Sequence, residues 1–149
     1  MALDKTKVID TLNGILELEL AGVVRYTHYS FMIFGHARIP IIAWMRKEAS
    51  EAVTHAHAAG ELITAFGGHP SLKIGKLLET HRHDIDDILR EAIEHEKGGI
   101  QMYRDLLALT QDVDIRLEEY AREMIRTEED HVAEIEKMLR RPGVLEPAT

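Results

Sequence analysis

The sequence predicts an all-α fold, a four-helix bundle made of two antiparallel hairpins joined by one long crossover. Three observations carry this expectation. Apolar residues recur at three- and four-residue steps through four long segments, and no stretch alternates apolar with polar residues as a half-buried strand would. The first and second segments, like the third and fourth, are joined by only about four or five residues, so each pair must lie antiparallel. The second and third are joined by a much longer stretch.

The first helix is expected from about Asp4 to Phe34, with Asp4 as its N-cap and Gly35 ending it. Val8, Leu12, Ile15, Val23 and Met32 mark its apolar stripe. The second is expected to begin at Pro40, since proline favours the first helical position, and to stop at Gly67-Gly68. The third should run from near Asp84 to about Leu109, and the fourth from Asp112 or Asp114 to just before Pro142-Gly143. Between the hairpins lies GGHPSLKIGKLLETHRH. At ~3.3 Å per extended residue this segment can run the ~40 Å length of a bundle. Its leucines and Ile74 are expected to pack along the helices. The 149 residues fit one domain, a bundle over about 4–141 with a short tail at 142–149.

Composition narrows the function. The chain is 45% hydrophobic and 30% charged, ordinary for a globular protein, and its formal net charge of −8 argues against nucleic acid as a partner. It contains no cysteine, so a metal would have to be held by His, Asp or Glu. The start, MALDKTKVIDTL, lacks the apolar core of a secretory signal, and apolar runs such as Ile39 to Met45 fall far short of the ~20 residues of a membrane span. A cytoplasmic protein without a membrane partner is expected.

Ionisable residues sit on all four helices. The first helix carries ELAGVVRY, from Glu19 to Tyr26, and the third EKGGIQMY, from Glu96 to Tyr103; Glu, Gly and Tyr recur 77 residues apart. On the fourth helix Glu128 and His131 are three residues apart, ~60° around the axis, and can reach one cation. On the second, Glu51 and His55 are four apart, with Glu48 one turn earlier on the same face, whereas His57 points away. Any one of these pairs could equally be a solvated face. Together they read Glu, Glu/His, Glu, Glu/His in helix order, the pattern with which helical bundles hold two metal ions. Carboxylates with two imidazoles suit iron or manganese, with zinc as an alternative. Tyr26 and Tyr103, two turns beyond Glu19 and Glu96, could hydrogen-bond those ligands or simply pack in the core.

TKVIDTLNGILELELAGVVRYTHYSFM resembles the first helix of the bacterioferritins, GGHPSLKIGKL their crossover, and RTEEDHVAEIEKML their last metal-bearing helix; the similarity runs from about Asp4 to Arg141. The resemblance implies a ferritin-like bundle with two iron ions per chain, oxidation of Fe(II) by O₂ or peroxide, and Glu19, His55, Glu96, Glu128 and His131 as ligands. It also implies a homo-oligomer. There are three departures from the family pattern. A Glu-x-x-His pair ending at His55 would start at Ala52, so Glu51 is the expected sixth ligand, with Glu48 in reserve. The position of the family's haem-binding Met is Val53, so no haem is expected. The ending RRPGVLEPAT carries a proline where the family's short fifth helix would form, so no fifth helix is expected. A non-storage di-metal oxygenase, a peroxide scavenger and a metal-binding or assembly bundle without catalysis are the alternative readings.

Overall fold

In the computed structural model, which describes residues 2–146, the chain forms α1 (Lys5–Met32), α2 (Arg38–Ala65), α3 (Ile85–Thr110) and α4 (Ile115–Leu139). Among the described residues there is no strand, and no helix is long and apolar enough to cross a membrane. The end of the expected tail, 147–149, lies outside the described residues.

Helix boundaries follow from capping chemistry. The Asp4 side chain accepts the Lys7 N–H at 3.1 Å, and Asp114 accepts the Leu117 N–H at 2.9 Å, satisfying amides that have no helical partner. α1 stops at Met32, two residues short of expectation, where Arg38 takes over two carbonyls: its guanidinium donates to Ser30 O at 3.1 Å and Ile33 O at 2.8 Å. α2 in turn starts at Arg38, two residues before Pro40, because proline is tolerated anywhere in a first turn, where no amide partner exists. α2 closes in a Schellman turn, with Gly68 N–H on Ile63 O at 2.8 Å and Gly67 N–H on Thr64 O at 3.0 Å; Gly67 has φ +82°, which glycine adopts without strain.

The core comes in two apolar halves. One gathers Val8, Leu12, Ile15, Leu62, Ile63, Leu106, Leu117 and Ala121. The other gathers Ile33, Met45, Ile88, Leu89, Val132 and Ile135. Glu19, Glu51 and Glu128 fall between the two halves, whereas Glu48, between Met45 and Ala49, and Glu96, between Ile93 and Ile100, sit at the inner edge of the second half.

The crossover, residues 66–84, lies along α1 and reaches α3, but not through its apolar side chains. Leu72, Ile74 and Leu77 are exposed, and Leu78 is only half-buried. Main-chain groups hold it instead. Gly75 N–H donates to Glu17 O at 2.7 Å, Asn13 bonds His69 O at 3.1 Å and Ser71 N–H at 2.7 Å, and Arg25 donates to Leu78 O at 3.1 Å. A Cβ at Gly75 would lie 3.0 Å from Glu17 O and 3.1 Å from Leu18 Cα, both backbone atoms that cannot swing aside. Gly75→Ala should therefore destabilise the fold by about 1–3 kcal/mol. Gly60→Ala, inside α2 with nothing within 4 Å of the added Cβ, should stabilise it by about 0.5–1 kcal/mol. Denaturant midpoints of the two variants check this, and a neutral Gly75→Ala would mean that the crossover is not seated on α1 there.

Candidate metal centre

Where the two apolar halves meet, the four helices bring Glu19 (α1), Glu48, Glu51 and His55 (α2), Glu96 (α3), and Glu128 and His131 (α4) around one small cavity. Glu19, Glu48, Glu96 and Glu128 are buried; Glu51, His55 and His131 are half-buried. His55 Nδ1 lies 3.5 Å from Glu19 Oε2 and 3.3 Å from Glu128 Oε1. His131 Nδ1 lies 3.4 Å from Glu48 Oε2 and from Glu128 Oε2, and its Nε2 lies 3.0 Å from Glu51 Oε2. Three donor groups result, Glu19/His55/Glu128, Glu48/Glu51/His131 and Glu96/Glu128/His131, each with one atom per residue inside a 4.8 Å span. Glu128 belongs to two of them.

On α2 the structure brings in both candidates for the sixth position. α2 is a regular α-helix from Arg38 to Ala65, without a bulge to shift Glu51 toward His55. Glu51 stands at the rim, near the Lys47 ammonium at 4.0 Å, and meets His131 across the bundle rather than His55 on its own helix. Glu48 lies deeper and faces the same imidazole. Ala52 lines the cavity with a methyl group only, and Val53 points outward and is exposed.

The tyrosines pair crosswise. Tyr26 donates to Glu96 Oε1, and Tyr103 donates to Glu19 Oε1 at 2.9 Å. Each tyrosine thus holds the glutamate of the other repeat, as internal two-fold symmetry requires. The symmetry extends to glycine. Gly22 leaves room for His95, whose Nε2 would lie 3.0 Å from a Cβ there, and Gly99 leaves room for Leu18 at 3.1 Å. Leu18 and His95 hold equivalent positions, so the imidazole lines the cavity on one side only. No sequence signal marks His95 for this place, because it sits among charged residues in IEHEKGGI.

Electrostatics follow from crowding carboxylates into the interior. Burial pushes the Glu19 and Glu96 carboxyls up, Glu96 further so because it shares a hydrogen bond with Glu128. Burial also lifts Glu48, to about 7. Glu128 goes down despite its burial, because Glu96, His131 and His55 all hydrogen-bond to it. Burial would lower His55, but its bonds to Glu128 and Glu19 outweigh that and raise it to about 10. His131 is raised by Glu128 and Glu48 against the same opposition from burial. His95, with no carboxylate bonded to it, is lowered by burial to about 4. Protons therefore balance the charge of this cluster. Two divalent cations could replace them, and oxygen donors with two imidazoles are the donor set that hard-to-borderline ions such as iron and manganese take.

A family model described as the ferritin-like domain matches residues 9–142. Bacterial non-heme ferritins of Escherichia coli and Shigella flexneri are 24% identical over 102 residues, 68% of this chain; the match spans 62% of those relatives' length. A crystal structure of a ferritin-like, diiron-carboxylate protein from Bacillus anthracis superposes with a TM-score of 0.87 at 23% identity, covering 94% of this chain and all of that one. The bacterioferritin-related protein of Bacteroides fragilis, a dodecameric thioferritin, superposes with a TM-score of 0.85 at 22% identity, covering 92% and 86% of the two chains. At these identities the structural likeness is one of fold.

A folded state that binds more protons than the unfolded chain loses stability as pH rises. The contribution of Glu48 is lost from pH 4.5 to about 7, and that of His55 from pH 6.5 to about 10. His95, held down at about 4, acts in the opposite sense up to pH 6.5, so the Tm of the protein in chelator should fall between about pH 6.5 and 10, and saturating Mn(II) should abolish the fall, since the metal takes the protons' place. A Tm that rises over this interval in chelator contradicts the assignment.

Proposed function

This chain belongs to the ferritin-like domain family, and on that premise we propose that its bundle binds two Fe(II) ions and oxidises them to Fe(III). The observation that carries this reading is Glu128, whose two oxygens lie 3.3 Å from His55 and 3.4 Å from His131, so that one carboxylate is common to two donor groups. Glu19 and His55 would hold one ion, and Glu48, Glu51 and His131 the other, with Glu96 supplementing them from α3. Iron is the substrate here. Each Fe(II) gives up one electron, and O₂ takes two electrons and two protons to become hydrogen peroxide; peroxide as oxidant would take the same to become two waters. The Bacillus anthracis neighbour is itself a diiron-carboxylate protein, in keeping with this chemistry.

The protein's part is geometry and charge. Tyr26 and Tyr103 fix the rotamers of Glu96 and Glu19, so both carboxylates are aimed before iron arrives. Glu51, the outermost carboxylate, is placed to meet an incoming cation first. His55 and Glu48 would release protons as iron binds. Glu128→Ala and His131→Ala should each slow Fe(II) oxidation at least about 100-fold, and Tyr103→Phe about 10-fold. Glu48→Ala should be as damaging as the first pair, because it empties a buried ligand position, while Glu51→Ala should cost about 10-fold. Stopped-flow absorbance of ferric product, with anaerobic Fe(II) titration for stoichiometry, checks the series. Wild-type oxidation by Glu128→Ala, or no saturable Fe(II) binding, would defeat the proposal.

Assembly is the second part of the reading. Phe31, Phe34 and Ile39 are 58–72% exposed around the α1–α2 turn, a cluster of large apolar side chains that a partner surface would cover. The dodecameric Bacteroides fragilis neighbour is an assembled protein of this fold. Light scattering should give a mass several times that of one chain, and a stable monomer would rule assembly out.

A further inference from the structure

Away from the bundle interior, one cluster of metal-binding side chains has no part in the iron chemistry. It lies where the crossover meets the start of α3. Glu79, His81 and His83 each offer a donor atom inside a 4.8 Å span, and all three are exposed. Beside this group an imidazole approaches from α1: His28 Nε2 lies 3.3 Å from Glu79 Oε2. His83 Nε2 lies 3.8 Å from the other oxygen, Glu79 Oε1. The local chain is folded to bring these groups together. His81 sits at φ +57°, in the left-handed region, and its backbone N–H donates to Glu79, so the segment doubles back and Glu79 and His83 face each other.

We propose that His28, Glu79, His81 and His83 form a second metal site that takes a divalent ion of the zinc class and pins the end of the crossover to α1. Donor type decides the ion. The interior centre is dominated by carboxylates, whereas this site has three imidazoles and one carboxylate, a set that suits zinc, copper or nickel better than iron or manganese. Geometry agrees. Four donors about 2.0–2.1 Å from a tetrahedral zinc stand roughly 3.4 Å apart, close to the 3.3 and 3.8 Å found between Glu79 and the two imidazoles. Side-chain rotation alone would close the shell, since every member is near the surface. A bound ion would join α1 to a stretch whose neighbours, Leu78 O and Thr80 N–H, already bond Arg25 and Glu91. The site shares no residue with the interior centre, so the two proposals stand or fall separately.

Zn(II) titration of the full-length protein by calorimetry tests it. His81→Ala/His83→Ala should bind one Zn(II) fewer per chain than wild type while oxidising Fe(II) at the wild-type rate. The same difference of one equivalent should persist when both proteins also carry Glu128→Gln/His131→Gln, which disables the interior centre. His28→Ala should weaken the outer equivalent at least about tenfold. Equal Zn(II) stoichiometry with and without His81 and His83 would overturn the site, and an unchanged affinity in His28→Ala would overturn the link to α1.

Discussion

A carboxylate taken out of water must be neutralised, and here Glu19, Glu48, Glu96 and Glu128 are taken out of water together. Much of the molecule answers to that constraint. The apolar core comes in two halves with the acidic side chains gathered at their junction, so hydrophobic burial toward both ends holds together a middle that repels itself. Two tyrosines and two histidines supply the first neutralising contacts, and protons supply the rest. A cation is the other available counter-charge. An unneutralised layer of this kind costs the fold stability, and a cation that bound the native state alone would return it.

A second buried charge lies beside the first and is solved differently. Arg25 Nη2 sits 3.6 Å from Glu91 Oε1, both well buried, and Tyr29 links them by accepting from Arg25 at 2.8 Å and donating to Glu91 at 2.7 Å. Glu91 also accepts the Thr80 N–H at 3.0 Å. Here the neutralising partner is a fixed guanidinium, so no place is left for a cation. These hydrogen bonds make the buried ion pair tolerable although Arg25 Nε is left without a partner, and removing either charge would leave the other stranded. The two clusters show one problem met by a permanent partner and by exchangeable ones.

The number of helices and their order are legible in the sequence because hydrophobic period and connection length are local properties of the chain. Boundaries are less so. α1 ends where it does because Arg38 reaches back to its carbonyls, a contact that no periodicity encodes. The interior face is legible for Glu19, Glu96, Glu128 and His131, whose spacing and repeat point the same way. Spacing does not decide between Glu48 and Glu51, which share a face one turn apart; depth and the position of His131 on another helix separate them. Arg25 and Glu91, 66 residues apart, carry no local signal at all. The length of the crossover points correctly to a segment lying along the bundle, and its leucines point wrongly to apolar packing, because backbone hydrogen bonding leaves no trace in hydropathy.

Fastening of this kind has a bearing on how such a chain can change over generations. The crossover is held by amides and carbonyls, which nearly every residue possesses, and by the side chains of α1 that receive them. Apart from Gly75, its own side chains carry little of the burden of folding. Leu72, Lys73, Ile74, Lys76 and Leu77 are largely turned to solvent and can be exchanged with small effect on the fold. The outer surface of the crossover is therefore a region where new contacts can be tried at low risk, while the acidic layer beneath it stays fixed.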